Sequence, residues 1–353
     1  MPLSRDTVSL IHRLPKVELH LHLEGSVRPE ALRDLARRKN DQCAEAAEKW
    51  IQERERTRFR YPEFLDFLNA FKQLSLLLDT PGDYAFATTR LMEELATQNV
   101  RYAEVTLSAG VVLWKGQSLE AIFEAVSDAS NAASRRLGIG IGWIFDAVRQ
   151  FGVDPGREVL RYAGRFRSAG VVGFGIGGDE VRGPANVFID VYREARELGL
   201  HTTAHAGESA GPESVRDAVD LLKAERVGHG TCAARDARTM DLLAERQITI
   251  EACPTSNLGT GLIDQIAAYP LRRFLEAGVP VTINSDDPAF FNTTLEKELV
   301  LAAEHFSLSA EETVALMRNA IRGAFLDDPA RDLLLDELTE AARRPPRTVA
   351  DIA

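Results

Sequence analysis

The chain has 353 residues, of which 45% are hydrophobic and 27% are charged, with 25 glycines and 15 prolines. This composition is typical of a globular protein, and it excludes a disordered, collagen-like or disulfide-stapled chain. The 53 acidic and 42 basic side chains give a formal charge of −11, which argues against sequence-independent binding to nucleic acid.

Eight short apolar segments, rich in β-branched residues, alternate along the chain with segments of helical periodicity. We predict buried strands at residues 17–23, 101–107, 139–145, 171–176, 200–206, 226–230, 248–253 and 279–285. Near-continuous apolar strands that alternate with helices indicate an α/β fold with a parallel sheet covered on both faces. Eight of them favour a (β/α)8 TIM-type barrel that forms a single domain over residues 1–353. An open dinucleotide-binding sheet is disfavoured, because Gly25 follows the first strand without a G-x-G-x-x-G pattern.

The interval between the first two strands is too long for one crossover helix. It contains a charge-dense helical segment at 41–60, and a segment at 61–78 in which phenylalanine and leucine recur at helical spacing. We predict a helical insertion of about residues 27–98, packed over one end of the barrel. Two interpretations remain open at this point: a lid over a site, or a subdomain that only stabilises the barrel.

Further helix signals occur later in the chain. Ser118 is placed to cap a helix. The inner face of that helix would carry Ile122, Val126, Ala129 and Ala133. A second helix is predicted at residues 186–198. Its inner face would carry Val187, Val191, Ala195 and Leu198. We also predict a C-terminal helical tail of about residues 310–353, frayed at 343–353.

Four of the seven histidines fall at the carboxyl ends of predicted strands, where barrel enzymes build their active sites. His20 and His22 alternate on the first strand, so their rings point to the same face. An isolated H-x-H pair is also typical of two hydrogen-bonded core histidines. However, His205 ends the fifth strand and His229 ends the sixth, and this repetition favours a metal site.

Two adjacent carboxylates, Asp286 and Asp287, end the eighth strand. Such a pair is usually a solvated turn, but here it follows a buried strand, where unpaired carboxylates are costly and a cation would relieve the cost. Three imidazoles and one carboxylate suit Zn²⁺, with a water in the open position whose pKa the ion would lower. Glu208, three residues after His205, can reach the pocket as a proton donor. His229 could orient or deprotonate the water.

The lysines and cysteines indicate one ion rather than two. Dinuclear amidohydrolases commonly bridge two metals with a carboxylated lysine on a central strand, and no lysine lies between Lys115 and Lys223. Cys232 and Cys253 lack partners at metal spacing. We therefore expect one Zn²⁺ per chain.

Five segments, in this order, are similar to motifs of the adenosine deaminase family. They are PKVELHLHLEG at 15–25, HAGE at 205–208, VGHG at 227–230, CPTSN at 253–257 and SDDP at 285–288. Together they are highly specific, and they extend over most of the chain. The resemblance implies a barrel with one zinc ion bound by His20, His22, His205 and Asp286.

The resemblance also implies a reaction and its residues. Glu208 would protonate purine N1, His229 would be the water-orienting base, and Asp287 would contact the water and purine N7. The segment GGDE at 177–180 is similar to the family's fourth-strand signature, in which the Gly178 backbone meets purine N3. The implied reaction is hydrolytic deamination: hydroxide attacks C6 of a 6-aminopurine nucleoside, ammonia leaves and the 6-oxopurine nucleoside forms.

The residues expected at the 5′ end of the substrate depart from adenosine deaminases proper. Those enzymes usually have Asp where this chain has Glu24. The segment TLSAGVVLW at 106–114 is similar to family members that deaminate 6-amino-6-deoxyfutalosine, a benzoate-bearing nucleoside of menaquinone biosynthesis. An aromatic wall and a cation for that carboxylate are predicted at Trp114, Phe145, Arg149 and Phe151. Including the residues implied above, we expect substrate contacts from His22, Glu24, Trp114, Phe145, Arg149, Gly178 and Asp287.

Several functional alternatives remain. Adenine deaminases also carry HLEG after the first histidine, but they usually lack GGDE, so free adenine ranks after adenosine and aminodeoxyfutalosine. A metal-dependent hydrolase of esters, lactones or phosphates would not need Glu208, and an inactive binding protein would keep the pocket without the chemistry. The sequence shows no signal peptide and no membrane span, so we expect a cytoplasmic enzyme of nucleotide metabolism. It would bind a small-molecule purine nucleoside, with a homo-oligomer as an open possibility.

Overall fold

The computed structural model describes residues 5–343, and its eight parallel strands pair in the order in which they occur in the sequence. The strands are β1 Lys16–His22, β2 Val100–Leu107, β3 Gly140–Val148, β4 Val171–Gly177, β5 His201–Ala206, β6 Arg226–His229, β7 Thr249–Ala252 and β8 Val281–Ile283. Each overlaps one predicted strand, so the predicted (β/α)8 barrel is confirmed.

The seam between β8 and β1 is closed by residues just beyond β8. The backbone N–H of His22 donates to the carbonyl of Asp286 (2.9 Å), and the N–H of Asp286 donates to the carbonyl of His20 (3.1 Å). Lower in the seam, the Asn284 side-chain oxygen accepts from the N–H of Leu19 (3.0 Å). The cylinder is therefore closed by one isolated bridge and an amide side chain.

Helices surround the barrel. The α-helices are α1 Arg5–Arg13, α2 Pro29–Lys39, α3 Asp41–Arg56, α4 Phe64–Ser75, α5 Pro81–Thr97, α6 Ala109–Trp114, α7 Leu119–Leu137, α8 Val153–Arg165, α9 Ile189–Glu197, α10 Pro212–Asp220, α11 Ala237–Glu245, α12 Pro254–Gly259, α13 Leu271–Glu276, α14 Pro288–Phe291, α15 Leu295–His305, α16 Ala310–Gly323 and α17 Asp328–Arg343. Short 3-10 turns occur at Glu24–Ser26, Arg149–Phe151, Arg167–Ala169, Ala185–Phe188, Thr231–Arg235 and Ile266–Ala268. None of the described helices combines the length and apolar character that a membrane span requires.

The helix after Ser118 is as predicted, because the Ser118 side chain accepts from the N–H of Ala121 and caps α7. The helix predicted at 186–198 is partly wrong. The chain first forms the 3-10 turn Ala185–Phe188, whose tighter winding turns Val187 away from the face expected for a continuous α-helix. Val187 is accordingly 47% exposed, whereas Val191 and Ala195 are buried. Leu198, also predicted on the inner face, follows the last residue of α9 and is exposed as well.

Helices α2 to α5 occupy the interval between β1 and β2, and α4 lies over the carboxyl-terminal mouth of the barrel. The ring of Phe71 on α4 packs 6.3 Å from the ring of His22 and 5.6 Å from that of Phe290, measured between centroids. Phe67 packs on the same Phe290 ring at 5.7 Å. The aromatic face that the sequence repeats at helical spacing therefore packs against the first strand end.

The C-terminal helices α16 and α17 cover residues 310–343 of the predicted tail. Helix α16 packs against β8 and β1. Of the segment predicted to fray, 343–353, Arg343 is the last residue of α17, and residues 344–353 lie outside the described residues.

Candidate active site

Four predicted metal ligands converge at the carboxyl ends of β1, β5 and the seam. One ring nitrogen each from His20, His22 and His205 and one oxygen of Asp286 all lie within 4.8 Å of one another. Asp286 Oδ1 is 3.2 Å from His20 Nε2 and 3.4 Å from His22 Nε2. His20 Nε2 is buried and has no hydrogen-bond partner. Three imidazoles, one of which has an unpartnered ring nitrogen, and a carboxylate are a donor set that fits a divalent cation such as Zn²⁺.

Backbone conformation helps to place Asp286 and the neighbouring His229. Asp286 has φ 62° and His229 has φ 60°, a left-handed region that non-glycine residues rarely adopt. At Asp286 the conformation is held by the two seam hydrogen bonds to His20 and His22. Strained backbone that the surrounding structure fixes in this way is concentrated at functional sites.

Glu208 and His229 face each other beside the cluster. Glu208 Oε1 is 3.5 Å from His229 Nε2, and both residues are buried. Burial, and next the charge of Asp286, raise the pKa of Glu208 well above its ordinary value, which favours the protonated carboxyl. Burial lowers the pKa of His229 to about 4, which favours the neutral ring. One group can therefore donate a proton while the other can accept one.

The loop that carries Glu208 is anchored by Glu180, whose role the sequence reasoning missed. The Glu180 carboxylate accepts from the backbone N–H groups of four consecutive residues: Gly207 (2.9 Å), Glu208 (2.9 Å), Ser209 (2.7 Å) and Ala210 (3.2 Å). Glu180 is the last residue of the GGDE segment, and this motif was the sequence signal from which a role for Glu180 could have been predicted. Glu180 therefore holds Glu208 in place through the backbone.

Asp287 also lies in the cavity wall, and its Oδ1 is buried without a hydrogen-bond partner. Its position depends on Gly25, because a Cβ at that residue would lie 1.7 Å from Asp287 Oδ1. The glycine of the HLEG segment is thus explained by the close approach of this carboxylate. Burial, and next the charge of Asp286, raise the pKa of Asp287 well above its ordinary value.

A cavity of about 600 Å³ opens from these groups. Its wall includes His22, His205, Glu208, His229, Asp286, Asp287, Gly177, Gly178, Asp146, Gln150, Ser108, Trp114, Phe151 and Lys72. Gly178, predicted to meet purine N3, has φ +100°, and a Cβ there would lie 2.4 Å from Gln150 Oε1. Asp146, Ser108, Gln150 and Lys72 were not predicted.

Trp114 lines the cavity and is half exposed, so it lies at the cavity mouth. Its ring stacks on that of Phe151, with centroids 6.0 Å apart and planes inclined by 27°. The Lys72 ammonium on α4 lies 5.1 Å from the Trp114 ring centroid. An aromatic pair and a cation therefore meet at this point.

Phe145 does not line the cavity, which corrects the expected substrate contact. Its ring is buried among Phe123 (4.8 Å between centroids) and Phe166 (6.4 Å), under the helical layer. Side chains alternate along a strand, and the next residue on β3, Asp146, is the one that points into the barrel.

Arg149 is also placed differently from the prediction. Its guanidinium is buried, Nη1 donates to the carbonyl of His205 (3.0 Å), and Nη1 lies 3.8 Å from Glu180. It therefore cannot meet a substrate carboxylate. The 3-10 turn Arg149–Phe151 directs Gln150 and Phe151 to the cavity instead.

Glu24 is fully buried and lies behind the cavity wall. Its carboxylate accepts from the N–H of Ser108 (3.1 Å), and Ser108 lines the cavity. Burial raises the pKa of Glu24 to about 7. In this structure Glu24 supports the wall rather than forming it.

Cys253 is closer to the cluster than its sequence spacing indicated. Its Sγ forms a second group of potential ligand atoms with His20, His229 and Asp286. However, burial raises the pKa of this thiol well above its ordinary value, and a protonated thiol is a poor metal ligand. The group with three histidines remains the better donor set.

Comparisons with known proteins agree with this geometry. The chain matches the family described as adenosine deaminase over residues 15–341. It is 36% identical to the aminodeoxyfutalosine deaminase of Streptomyces coelicolor over 336 residues, covering 95% of this chain and 86% of the relative. It is likewise 36% identical to the adenine deaminase of Rhizobium rhizogenes over 325 residues, covering 92% and 99%. A solved amidohydrolase from Burkholderia ambifaria with bound Zn superposes with a TM-score of 0.81 at 28% identity, covering 96% of each chain.

Proposed function

Because the chain belongs to the adenosine deaminase family, we propose that it is a zinc-dependent aminohydrolase that converts a 6-aminopurine nucleoside into the 6-oxopurine nucleoside and ammonia. The enzyme class itself follows from the family, which consists of hydrolases acting on carbon–nitrogen bonds in cyclic amidines. The observation that carries the proposal is the convergence of Glu208, His229 and Asp287 on one cavity beside the metal-ligand cluster.

His20, His22, His205 and Asp286 would hold the ion. When bound, zinc lowers the pKa of a water molecule and supplies hydroxide at neutral pH. A histidine must have an unprotonated ring nitrogen to serve as a ligand, and burial favours neutral rings for His22 and His205. The carboxylates of Asp286 and Glu251 outweigh burial at His20 and raise its pKa to about 10, so a bound cation would displace a proton from that ring.

The remaining polar groups handle the proton and the substrate. His229 and Asp287 would hold the attacking water, with the neutral imidazole accepting its proton. Glu208 would give its proton to ring nitrogen N1, so that C6 accepts the hydroxide oxygen. The amino group would then take up the proton held by His229 and leave as ammonia when the C6–N bond breaks. The C6 hydroxyl would return a proton to Glu208 as the 6-oxo group forms.

We propose 6-amino-6-deoxyfutalosine as the substrate, with a role in menaquinone biosynthesis and a cytoplasmic location. The Streptomyces relative named above supports this choice. Trp114 and Phe151 would form the aromatic wall at the 5′ end, and Lys72 would take the cationic role first predicted for Arg149. No ion pair between Lys72 and a carboxylate of residues 5–343 competes for that charge.

Free adenine is the second candidate, because an equally similar relative is named adenine deaminase. The two candidate substrates differ in whether they would occupy the outer part of the cavity. Free adenine has no 5′ substituent, so it would leave Ser108, Trp114 and Lys72 without a role.

The test is a side-by-side assay of zinc-loaded protein on aminodeoxyfutalosine, adenosine and adenine, followed by ultraviolet absorbance. We expect the largest kcat/KM for aminodeoxyfutalosine. A preference for adenine would overturn the nucleoside assignment, and a protein inert on all three would overturn the proposed function.

A further inference from the structure

A chain of buried charged groups runs through the barrel interior beneath the metal-ligand cluster. Arg226 on β6 contacts two carboxylates: Nη2 lies 2.5 Å from Glu104 on β2, and Nε donates to Glu251 Oε1 on β7 (2.5 Å). The other oxygen of Glu251 lies 2.7 Å from Nδ1 of His20. All these side chains are at most 5% exposed.

Arg226 is held too firmly to adapt to a change at Glu251. Its Nη1 donates to the carbonyl of Gly323 at the end of α16 (2.7 Å), and its guanidinium carbon lies 3.7 Å from the centroid of the Phe325 ring. The N–H of Phe325 in turn donates to Glu104 (2.5 Å). Because a guanidinium has donors and no acceptor, the oxygen of Glu251 that faces it must accept.

This arrangement determines which nitrogen of His20 carries the hydrogen. An ionised carboxylate can only accept, so Oε2 of Glu251 requires a hydrogen on His20 Nδ1. In the neutral ring, Nε2 then carries the lone pair, and Nε2 is the atom that faces Asp286 and lacks a hydrogen-bond partner.

We propose that Glu251 is a positioning residue, which Arg226 holds in place and which keeps His20 in the Nδ1–H form, so that Nε2 is free to bind the metal. This inference rests on the metal site of the proposed function. It assigns a role to two buried residues that the chemistry of deamination does not itself require.

The variant Glu251→Gln tests the role with little change in shape. Its amide has one acceptor and one donor, while Arg226 can only donate, so the amide oxygen turns to Arg226 and the NH₂ group faces His20. His20 must then accept at Nδ1 and carry its hydrogen on Nε2, which can no longer bind a metal. We expect the zinc dissociation constant of metal-depleted protein, measured by competition with a chromogenic chelator, to rise roughly 10- to 100-fold.

The matched control is Glu104→Gln. It removes the same charge and places the same kind of amide beside Arg226, but Glu104 has no contact with His20. We expect its zinc affinity to stay within roughly threefold of that of the unsubstituted protein, because the substitution leaves the acceptor of His20 Nδ1 in place. The control thus separates the loss of a charge beside Arg226 from the change at His20. Equal weakening in both variants would overturn the proposal.

A second measurement uses the unsubstituted protein alone. Nitrogen-15 spectra of the histidine rings in the zinc-loaded, unsubstituted protein should show the His20 hydrogen on Nδ1. An Nε2–H form in the unsubstituted protein, or unchanged zinc affinity in Glu251→Gln, would overturn the positioning role alone. Failure of the unsubstituted protein to bind zinc would instead overturn the proposed metal site.

Discussion

The loop that carries the proton donor should depend on Glu180 both for stability and for activity. In Glu180→Ala, the four N–H groups of residues 207–210 lose their shared acceptor. Two of the four hydrogen bonds, from Gly207 and Glu208, are buried, whereas those from Ser209 and Ala210 are partly accessible and can be hydrated. A buried donor left unsatisfied costs about 1–3 kcal/mol, so the two together should lower the free energy of unfolding by about 2–6 kcal/mol.

The variant Glu180→Gln should lie between Glu180→Ala and the unsubstituted protein in both stability and activity. The amide keeps one oxygen, which can still accept from Glu208, Ser209 and Ala210, but its NH₂ group faces the N–H of Gly207. We therefore expect about half the loss of stability and a smaller loss of kcat/KM.

Denaturant unfolding and steady-state kinetics on the same preparations check this order. Glu245→Ala is the matched control, because Glu245 is an exposed glutamate at the end of α11 and should change neither quantity. If Glu180→Ala unfolded within about 1 kcal/mol of the unsubstituted protein and kept its turnover, the anchoring argument would be wrong.

Three further predictions address separate groups. Glu208→Gln should retain zinc but lose about 10²- to 10⁴-fold in kcat, because an amide cannot donate the proton to N1. Metal analysis and absorbance assays check this prediction, and retained turnover would contradict the proposed role of Glu208. Lys72→Met should raise KM for aminodeoxyfutalosine about tenfold and leave adenosine unaffected, whereas an equal effect on both would exclude a carboxylate contact. Burial lowers the pKa of Lys16 from 10.5 to about 8, so between these pH values the folded protein binds fewer protons than the unfolded chain. Its free energy of unfolding should therefore rise with pH in that window, by about 3 kcal/mol from this residue, and Lys16→Met should lack the rise in denaturant titrations.

The strands and the inner polar residues could be predicted from sequence because both follow local rules. Buried parallel strands are continuous apolar segments, and barrel sites form at their carboxyl ends, so the positions of His20, His205 and Asp286 were sufficient to bring them together. The prediction for Phe145 failed because side chains alternate along β3, and the next residue, Asp146, is the one that faces the cavity.

Other parts of the site depend on contacts between distant residues. Nothing local to Arg149 shows that its guanidinium bonds the carbonyl of His205, or that Glu180 accepts from a loop about thirty residues later. Glu251 likewise lies in a strand that reads as apolar, and only the assembled barrel brings it to His20. The sequence could not supply these partners, because each is defined by tertiary packing.

The seam between the first and last strands has a consequence for how the protein is made. The atoms that would bind the proposed ion come from residues 20 and 22 early in the sequence and from residue 286 much later. During synthesis a ribosome would release almost the whole barrel before all of these atoms could meet one cation, and a truncated nascent chain would expose two histidines without their carboxylate. We therefore expect uptake of the proposed ion to be a late step of maturation, after the cylinder has closed.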